Sequence, residues 1–279
     1  MFPTMPPPIT FCILAHNEAR RIADAIGSAR ACPWCSQILV FDSGSTDDTV
    51  ALATSLADRV EHHPWIDFTT NRRRIVEAAD HDWVFILDAD EIVSDALRDE
   101  IAALPDAAFT QNSIFTMPRK NFLLGRHVRA WDPDRIDRLF DRRRVTWPHA
   151  SVHDRRTPTS GVAGGLVAAL RHAILHKPRD NDWSDYFDGP RYAARTDALA
   201  LEMFNRGKRV STLGLLLRPP LTVFKYFILK RGFLQGGFGL LVAQKAAVSV
   251  QLKYARLWHL QQAKGTEGRR DEGTKGGRK

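Results

Sequence analysis

The chain has 279 residues, 44% of them apolar, enough for a substantial buried core and too apolar for a disordered chain. A formal net charge of +8 favours anionic partners, whether nucleic acid, phosphorylated small molecules or acidic lipid surfaces. The three cysteines, Cys12, Cys32 and Cys35, are too few for a disulfide scaffold and suit a reducing compartment.

Residues 1–8 are proline-rich, lack the basic stretch that opens a secretory signal, and read as a short disordered lead-in. Residues 9–14 form an apolar run that predicts a first strand. A helical pattern opens at Asn17, with Ile22 and Ile26 on one face. Cys32 and Cys35 have the Cys-x-x-Cys spacing of redox pairs. Such pairs usually open a helix, which lowers the thiol pKa, whereas this one follows a helix and precedes a strand. One such pair cannot make a four-cysteine zinc site. Residues 37–41 predict a second strand, 42–48 a polar turn and 49–57 a helix. Residues 59–62 suit a short strand, and 71–79 a helix carrying Arg72, Arg73 and Arg74, by default a solvated basic face.

Residues 83–87 are the apolar run Trp-Val-Phe-Ile-Leu, followed directly by Asp88-Ala89-Asp90-Glu91. Side chains alternate along a strand, so Asp88 and Asp90 share a direction if strand geometry persists that far. Paired carboxylates suit hard divalent cations, which commonly carry diphosphates. Alternating strands and helices imply a parallel α/β sheet with right-handed crossovers, whose ligands bind outside the carboxyl ends of the strands. Residues 15–18, 42–48 and 88–91 all follow strands and are expected to line one crevice.

Beyond residue 96 the pattern shifts to short strands at 113–117, 138–140 and 145–147, read as a mixed-sheet half that completes the same domain. From Met203 to Thr266 there is no Asp or Glu, while eleven Lys or Arg are interleaved with large apolar residues. The longest uncharged run, 232–244, is shorter than a spanning helix needs and carries four glycines. Basic residues mixed with Leu and Phe suit helices lying in a membrane interface, where each basic side chain near an anionic surface contributes about 1 kcal/mol. A nucleic-acid face does not need this much Leu and Phe, so no nucleic-acid partner is expected. The organisation predicted is a lead-in over 1–8, a catalytic domain over 9–180, a helical membrane-associating region over 181–262 and a disordered tail over 263–279.

The segment Ile9-Thr10-Phe11-Cys12-Ile13-Leu14-Ala15-His16-Asn17-Glu18, the segment Phe41-Asp42-Ser43-Gly44-Ser45-Thr46-Asp47-Asp48-Thr49 and Leu87-Asp88-Ala89-Asp90-Glu91 together resemble, in order and spacing, the three strand-end motifs of family 2 glycosyltransferases of the GT-A fold. Arg138-Leu139-Phe140, Trp147 and Val152-His153-Asp154 are similar to the subgroup of lipopolysaccharide-core β-glucosyltransferases. Members of that subgroup usually carry Val-His-Glu, and Asp154 is one methylene shorter.

The resemblance implies a Rossmann-like mixed α/β sheet flanked by helices, with a basic amphipathic helical region behind it. It implies inverting transfer from a nucleotide sugar, with UDP-hexose as the donor it points to, onto a lipid-linked or lipopolysaccharide-core acceptor. The expected cofactor is Mg²⁺ or Mn²⁺, and the expected place is the inner face of the bacterial inner membrane, bound peripherally to anionic lipid. Ala15, Asn17, Glu18, Asp42, Ser45, Asp47, Arg72 and Asp88 are implied at the nucleotide sugar. Asp90, Asp88 and His176 are implied at the metal. Asp154 is the expected base, with Glu91 as a second candidate or a cap of the following helix. His153 is a further possible aid to the phosphates, and Arg138 a possible diphosphate contact. Two alternatives stand beside this reading: an aspartate-nucleophile phosphatase, which prefers Asp-x-Asp on its first strand, and a non-catalytic basic binding module.

Overall fold

A computed structural model describes residues 6–147, 156–161, 163–177 and 190–275. The amino-terminal half alternates strand and helix: β1 (Ile9–Ala15), α1 (Ile22–Arg30), β2 (Cys35–Asp42), α2 (Thr49–Leu56), β3 (Arg59–His62), α3 (Phe68–Glu77) and β4 (Trp83–Asp88). There follow β5 (Glu91–Val93), α4 (Asp95–Ala102), α5 (Asp106–Gln111), β6 (Asn112–Leu123), β7 (Arg126–His127), β8 (Arg135–Asp141), β9 (Val145–Thr146), β10 (Thr157–Pro158), β11 (Leu166–Ala169) and β12 (Ile174–His176).

The main sheet runs β3-β2-β1-β4-β8-β6-β12-β5, with β7 and β11 also paired to β6. The first four strands in that order are parallel, while β8 is antiparallel to both β4 and β6, so the sheet is mixed. The central strands are buried on both faces, which is why they read as unbroken apolar runs. Phe11, Trp34 and Phe85 stack beneath α1 on one face, with ring centroids 4.9–6.0 Å apart. Cys12, Leu39 and Ile86 meet Ile75 and Val76 of α3 on the other. The neighbours fall on opposite faces because the strand period is two.

Several elements differ from expectation. Helix α1 begins at Ile22, because residues 17–21 form a turn bonded to the loop after β2. Helix α3 begins at Phe68, where the Asp67 carboxylate accepts from Thr70 N and caps it. Strand β6 continues through Pro118 to Leu123 instead of ending at Met117, and β5, β11 and β12 were not foreseen.

Two compact units are present: Met1–His127 with Asp132–Asp180, and Val128–Trp131 with Asn181–Lys279. The second contains the helices Pro190–Asn205, Thr212–Phe224 and Gly236–Lys275. The last of these continues into residues assigned from the sequence to a disordered tail. Ala200, Val210 and Leu257 form a small core. Gln261 clamps the linker before Thr212 by accepting from Val210 N at 2.8 Å and donating to Val210 O at 3.1 Å. At the elbow between the last two helices, a Cβ on Gly239 would lie 1.8 Å from Gly232 O, so the close approach requires glycine.

The helix Thr212–Phe224 buries none of its residues. Leu213, Leu216, Leu221 and Leu229 are all at least 60% exposed. By length and composition alone, the helical stretches Thr212–Leu229 and Gly232–Ala263 are long and apolar enough to cross a membrane. The sequence reading fell short of this because it counted only uncharged runs, whereas the helices carry their basic residues within them.

Candidate active site

The register of the parallel strands sets the site. Ala15 at the end of β1 pairs with Asp42 at the end of β2, and Leu14 pairs with Asp88 at the end of β4. The three polar segments therefore emerge side by side at one sheet edge, as the alternation of elements implied.

The Asp42 carboxylate accepts from Gly44 N and Ser45 N, both at 2.9 Å, and from the Ser45 hydroxyl. Burial alone would raise its pKa, but these donors hold it below the usual carboxylate range. Asn17 adopts the left-handed conformation, φ +55°, which asparagine tolerates. Its backbone N–H donates to Ser45 Oγ at 2.8 Å and its side-chain oxygen accepts from Thr46 N at 2.8 Å. Glu18 N donates to Thr49 Oγ1 at 2.7 Å, and the Glu18 carboxylate is ion-paired with Arg21. Asp47 accepts from Ala19 N and Thr49 N. Asn17, Ser45 and Asp47 thus bind one another's loops and build the turn that presents Asp42. A cavity of about 410 Å³, lined by Asp42, Ser45, Val50, Val60 and His62, opens against that turn.

The acidic motif is split by the backbone. Strand geometry ends at Asp88, and Ala89-Asp90 is a turn into β5, so Asp88 and Asp90 do not share a direction. Arg72 Nη2 lies 2.8 and 2.9 Å from the two oxygens of Asp88, and Arg138 Nη2 lies 2.6 Å from Oδ2. Burial would raise the Asp88 pKa, but the two guanidiniums hold it far below the carboxylate range. Both oxygens of Asp88 thus meet arginine. Arg72 is no solvated helix residue, and Arg138 is almost wholly enclosed.

Glu91 is fully buried in β5. It accepts from Arg138 Nη2 at 2.7 Å, from Arg119 Nη1 at 3.4 Å and from Asp88 N at 3.1 Å. That enclosure suits a positioning residue and not a base meeting an acceptor hydroxyl. Nor does Glu91 cap α4, since Ser94 does so by accepting from Leu97 N.

Asp90 faces His176, with Oδ2 3.3 Å from Nε2. Burial alone would lower the histidine pKa and raise that of the aspartate, yet the pair shifts both the other way, towards their charged forms. In register, His176 sits opposite Glu91 of β5 and beside Asn121 of β6. Its Nδ1 lies 2.8 Å from Asn121 Oδ1. Asn121 Nδ2 in turn donates to Asp134 Oδ2 at 2.9 Å, and Arg119 Nε donates to the same oxygen at 2.8 Å. Sequence reading missed Arg119, Asn121 and Asp134, because the strand was expected only over 113–117. The i, i+2 spacing of Arg119 and Asn121 was the available signal.

Among the described residues, no three His, Cys, Asp or Glu side chains converge as a closed metal cage. An open pair still fits Mg²⁺ or Mn²⁺, since such ions often take one or two carboxylates and complete their shell with phosphate oxygens. Asp90 and His176 are the residues that fit. Asp154, the expected base, and His153 lie outside the described residues. Cys32 and Cys35 do not suit thiol chemistry, because burial pushes their pKa values up to about 12 and about 11.

A mixed sheet in this strand order, with carboxylates at the ends of β2 and β4 and an Asp–His pair beside them, defines a glycosyltransferase of the GT-A architecture. The model for glycosyl transferase family 2 matches residues 10–146. The chain is similar to that family over these residues and is a glycosyltransferase that transfers a sugar from a nucleotide-linked donor. An uncharacterized glycosyltransferase of Rickettsia felis is 27% identical over 257 residues, covering 89% of each chain. The lipopolysaccharide core biosynthesis glycosyltransferase LpsC of Rhizobium meliloti is 24% identical over 264 residues, covering 90% of this chain and 92% of that one. Glucosyl-3-phosphoglycerate synthase of Mycobacterium tuberculosis, solved with Mn²⁺, UDP and glucosyl-3-phosphoglycerate, is 17% identical with a TM-score of 0.43, covering 74% of this chain and 82% of that one.

Proposed function

We propose that the protein is a metal-assisted, inverting hexosyltransferase that uses a UDP-sugar and glycosylates a lipid-linked or lipopolysaccharide-core acceptor at the cytoplasmic face of the inner membrane. The observation that carries the reading is the Asp90–His176 pair, set at the sheet edge that also presents Asp42. Similarity to LpsC supports the acceptor class.

In this reading Asp42 accepts hydrogen bonds from the base or ribose, with the cavity beside it receiving that end of the donor. Ala15 and the turn built by Asn17, Glu18, Ser45 and Asp47 wall the nucleotide. Asp90 and His176 would hold the divalent ion, which would neutralise charge on the departing diphosphate. Arg72 and Arg138 fix Asp88, and through the Asp88 backbone and Glu91 they fix the turn that carries Asp90. Asp154 takes the acceptor proton, a role worth about 10²–10⁴-fold in rate; the resemblance to the Val-His-Glu motif supports this assignment.

The exposed leucines of 212–229, interspersed with Arg218 and Lys225, lie in the interface of an anionic bilayer and do not cross it. Charged groups at those positions are costly at a bilayer centre and favourable at the headgroups.

The test is calorimetric titration of the full chain with a panel of nucleotide sugars, with and without Mg²⁺ or Mn²⁺, followed by transfer assays. Metal-dependent binding of a UDP-hexose is expected. Metal-independent release of phosphate from simple monoesters, with no donor bound, overturns the reading in favour of a phosphatase.

A further inference from the structure

We infer that Asp134 and Asn121 act as a relay that fixes His176 as its Nδ1–H tautomer and turns the Nε2 lone pair towards Asp90. The inference rests on the metal-site reading above and extends it to two residues that touch neither donor nor metal.

For a neutral His176 ring, the chain of donors and acceptors has one consistent solution. The Asp134 carboxylate, when ionised, can only accept. It takes Arg119 Nε at 2.8 Å, and the group of Asn121 facing it must also be a donor, which is the amide nitrogen at 2.9 Å. The Asn121 oxygen is thereby committed to the other side, where it meets His176 Nδ1 at 2.8 Å. A carbonyl oxygen has no proton to give, so Nδ1 must carry one. A neutral imidazole carries only one N–H, which leaves Nε2 bare. That bare nitrogen is the atom 3.3 Å from Asp90 Oδ2.

Two acceptors held face to face repel unless a cation, either a proton or a metal ion, sits with them. Without the relay, a neutral ring would place its hydrogen on Nε2, bond to Asp90 and satisfy the pair internally. With it, the pair stays open to a cation. The register enforces the arrangement: Asn121, His176 and Glu91 lie abreast on three adjacent strands, and Arg119 lies two residues before Asn121 on the same face of β6. The Asp134 carbonyl also accepts from Arg119 N at 2.7 Å, which ties the loop before β8 to that strand. Asp134 and Asn121 are positioning residues of the kind that orient metal-binding histidines elsewhere.

The experiment uses the full chain labelled with ¹⁵N-histidine. Long-range ¹H–¹⁵N spectra of the metal-free protein near pH 9 read the ring tautomer, since a neutral ring is favoured well above the ordinary histidine value of about 6.5. His176→Gln assigns the signal by its loss. Wild type is expected to show Nδ1–H. Asp134→Leu removes the acceptor that fixes the Asn121 amide, so Asn121 is free to turn over and the ring to take Nε2–H. Calorimetric titration with MnCl₂ in the presence of UDP is expected to show affinity about 10–100-fold weaker in Asp134→Leu and in Asn121→Leu. Unchanged melting of Asp134→Leu separates this loss from unfolding. An Nε2–H ring in metal-free wild type overturns the relay, as does undiminished Mn²⁺ affinity in both variants. Nδ1–H in wild type that binds no Mn²⁺ upholds the relay and overturns only the metal-site reading.

Discussion

Arg138 holds Asp88 at 2.6 Å from a position almost wholly removed from solvent, and the same nitrogen reaches Glu91 at 2.7 Å. One guanidinium thus compensates two carboxylates at the point where β4 turns into β5. The acidic motif is held by arginine on its Asp88 side and faces His176 on its Asp90 side.

Replacing Arg138 leaves Glu91 fully buried with the longer Arg119 contact as its remaining cation beside the Asp88 N–H, and weakens the hold on Asp88. Removing one partner of a buried pair costs about 3–5 kcal/mol. Arg138→Leu is expected to lower stability by that amount in urea denaturation. Arg138→Lys is expected to recover only part of it, since one ammonium cannot reproduce the forked geometry.

The two aspartates are expected to fail in different ways. Asp90→Asn keeps the shape of the turn but removes the charge proposed to hold the metal, so transfer should fall by about 100-fold or more, with melting little changed. Asp88→Asn discharges the group that Arg72 and Arg138 hold, so its thermal transition should fall together with activity. Near-normal transfer by Asp90→Asn would remove the metal from the mechanism.

Asp42 makes stability depend on acid. Its folded pKa lies below the unfolded value of about 3.9, so its contribution is complete above that value and is lost as pH falls through the folded one. Charge-assisted hydrogen bonds contribute about 1.5–3 kcal/mol. Asp42→Asn is expected to be less stable than wild type by an amount in that range near pH 7, with the gap narrowing below about pH 4. Urea midpoints at both pH values measure it.

Leu216 and Leu221 are exposed and contact no core, so Leu216→Glu with Leu221→Glu should leave folding intact. Binding to vesicles containing phosphatidylglycerol is expected to drop at least about tenfold, and wild-type binding to weaken with salt. Deleting residues 208–279 should abolish co-sedimentation. Vesicle binding that survives both changes would refute the interfacial role.

Cys32→Ser and Cys35→Ser are expected to retain transfer, and neither wild-type thiol should alkylate readily near pH 7. The thiolate is the reactive form, and burial suppresses it at both positions.

Much of the architecture was legible from one-dimensional pattern. Apolar runs at residues 9–14, 37–41 and 83–87, separated by helical periodicity, implied parallel strands, and parallel strands place their polar ends together whatever the details of packing. Asp42, Asp88 and Asp90 were found this way, because a strand end is a local property. Even the helical character of the basic region followed from composition alone.

The allocation of partners was decided only in three dimensions. The separate fates of Asp88 and Asp90 depend on a turn at Ala89 that no local pattern announced. Arg72 and Arg138 were expected at the donor and Arg119 was not singled out, yet the fold draws them from α3, β8 and β6 onto Asp88 and Glu91. Asn121, Asp134 and His176 are far apart in the chain and become a hydrogen-bonded row because β6 runs on through Pro118 and β12 inserts between β6 and β5. Chain order carries strand direction and hydrophobic period. Which donor meets which acceptor is set by register between strands distant in sequence, and that exists only after the sheet has closed.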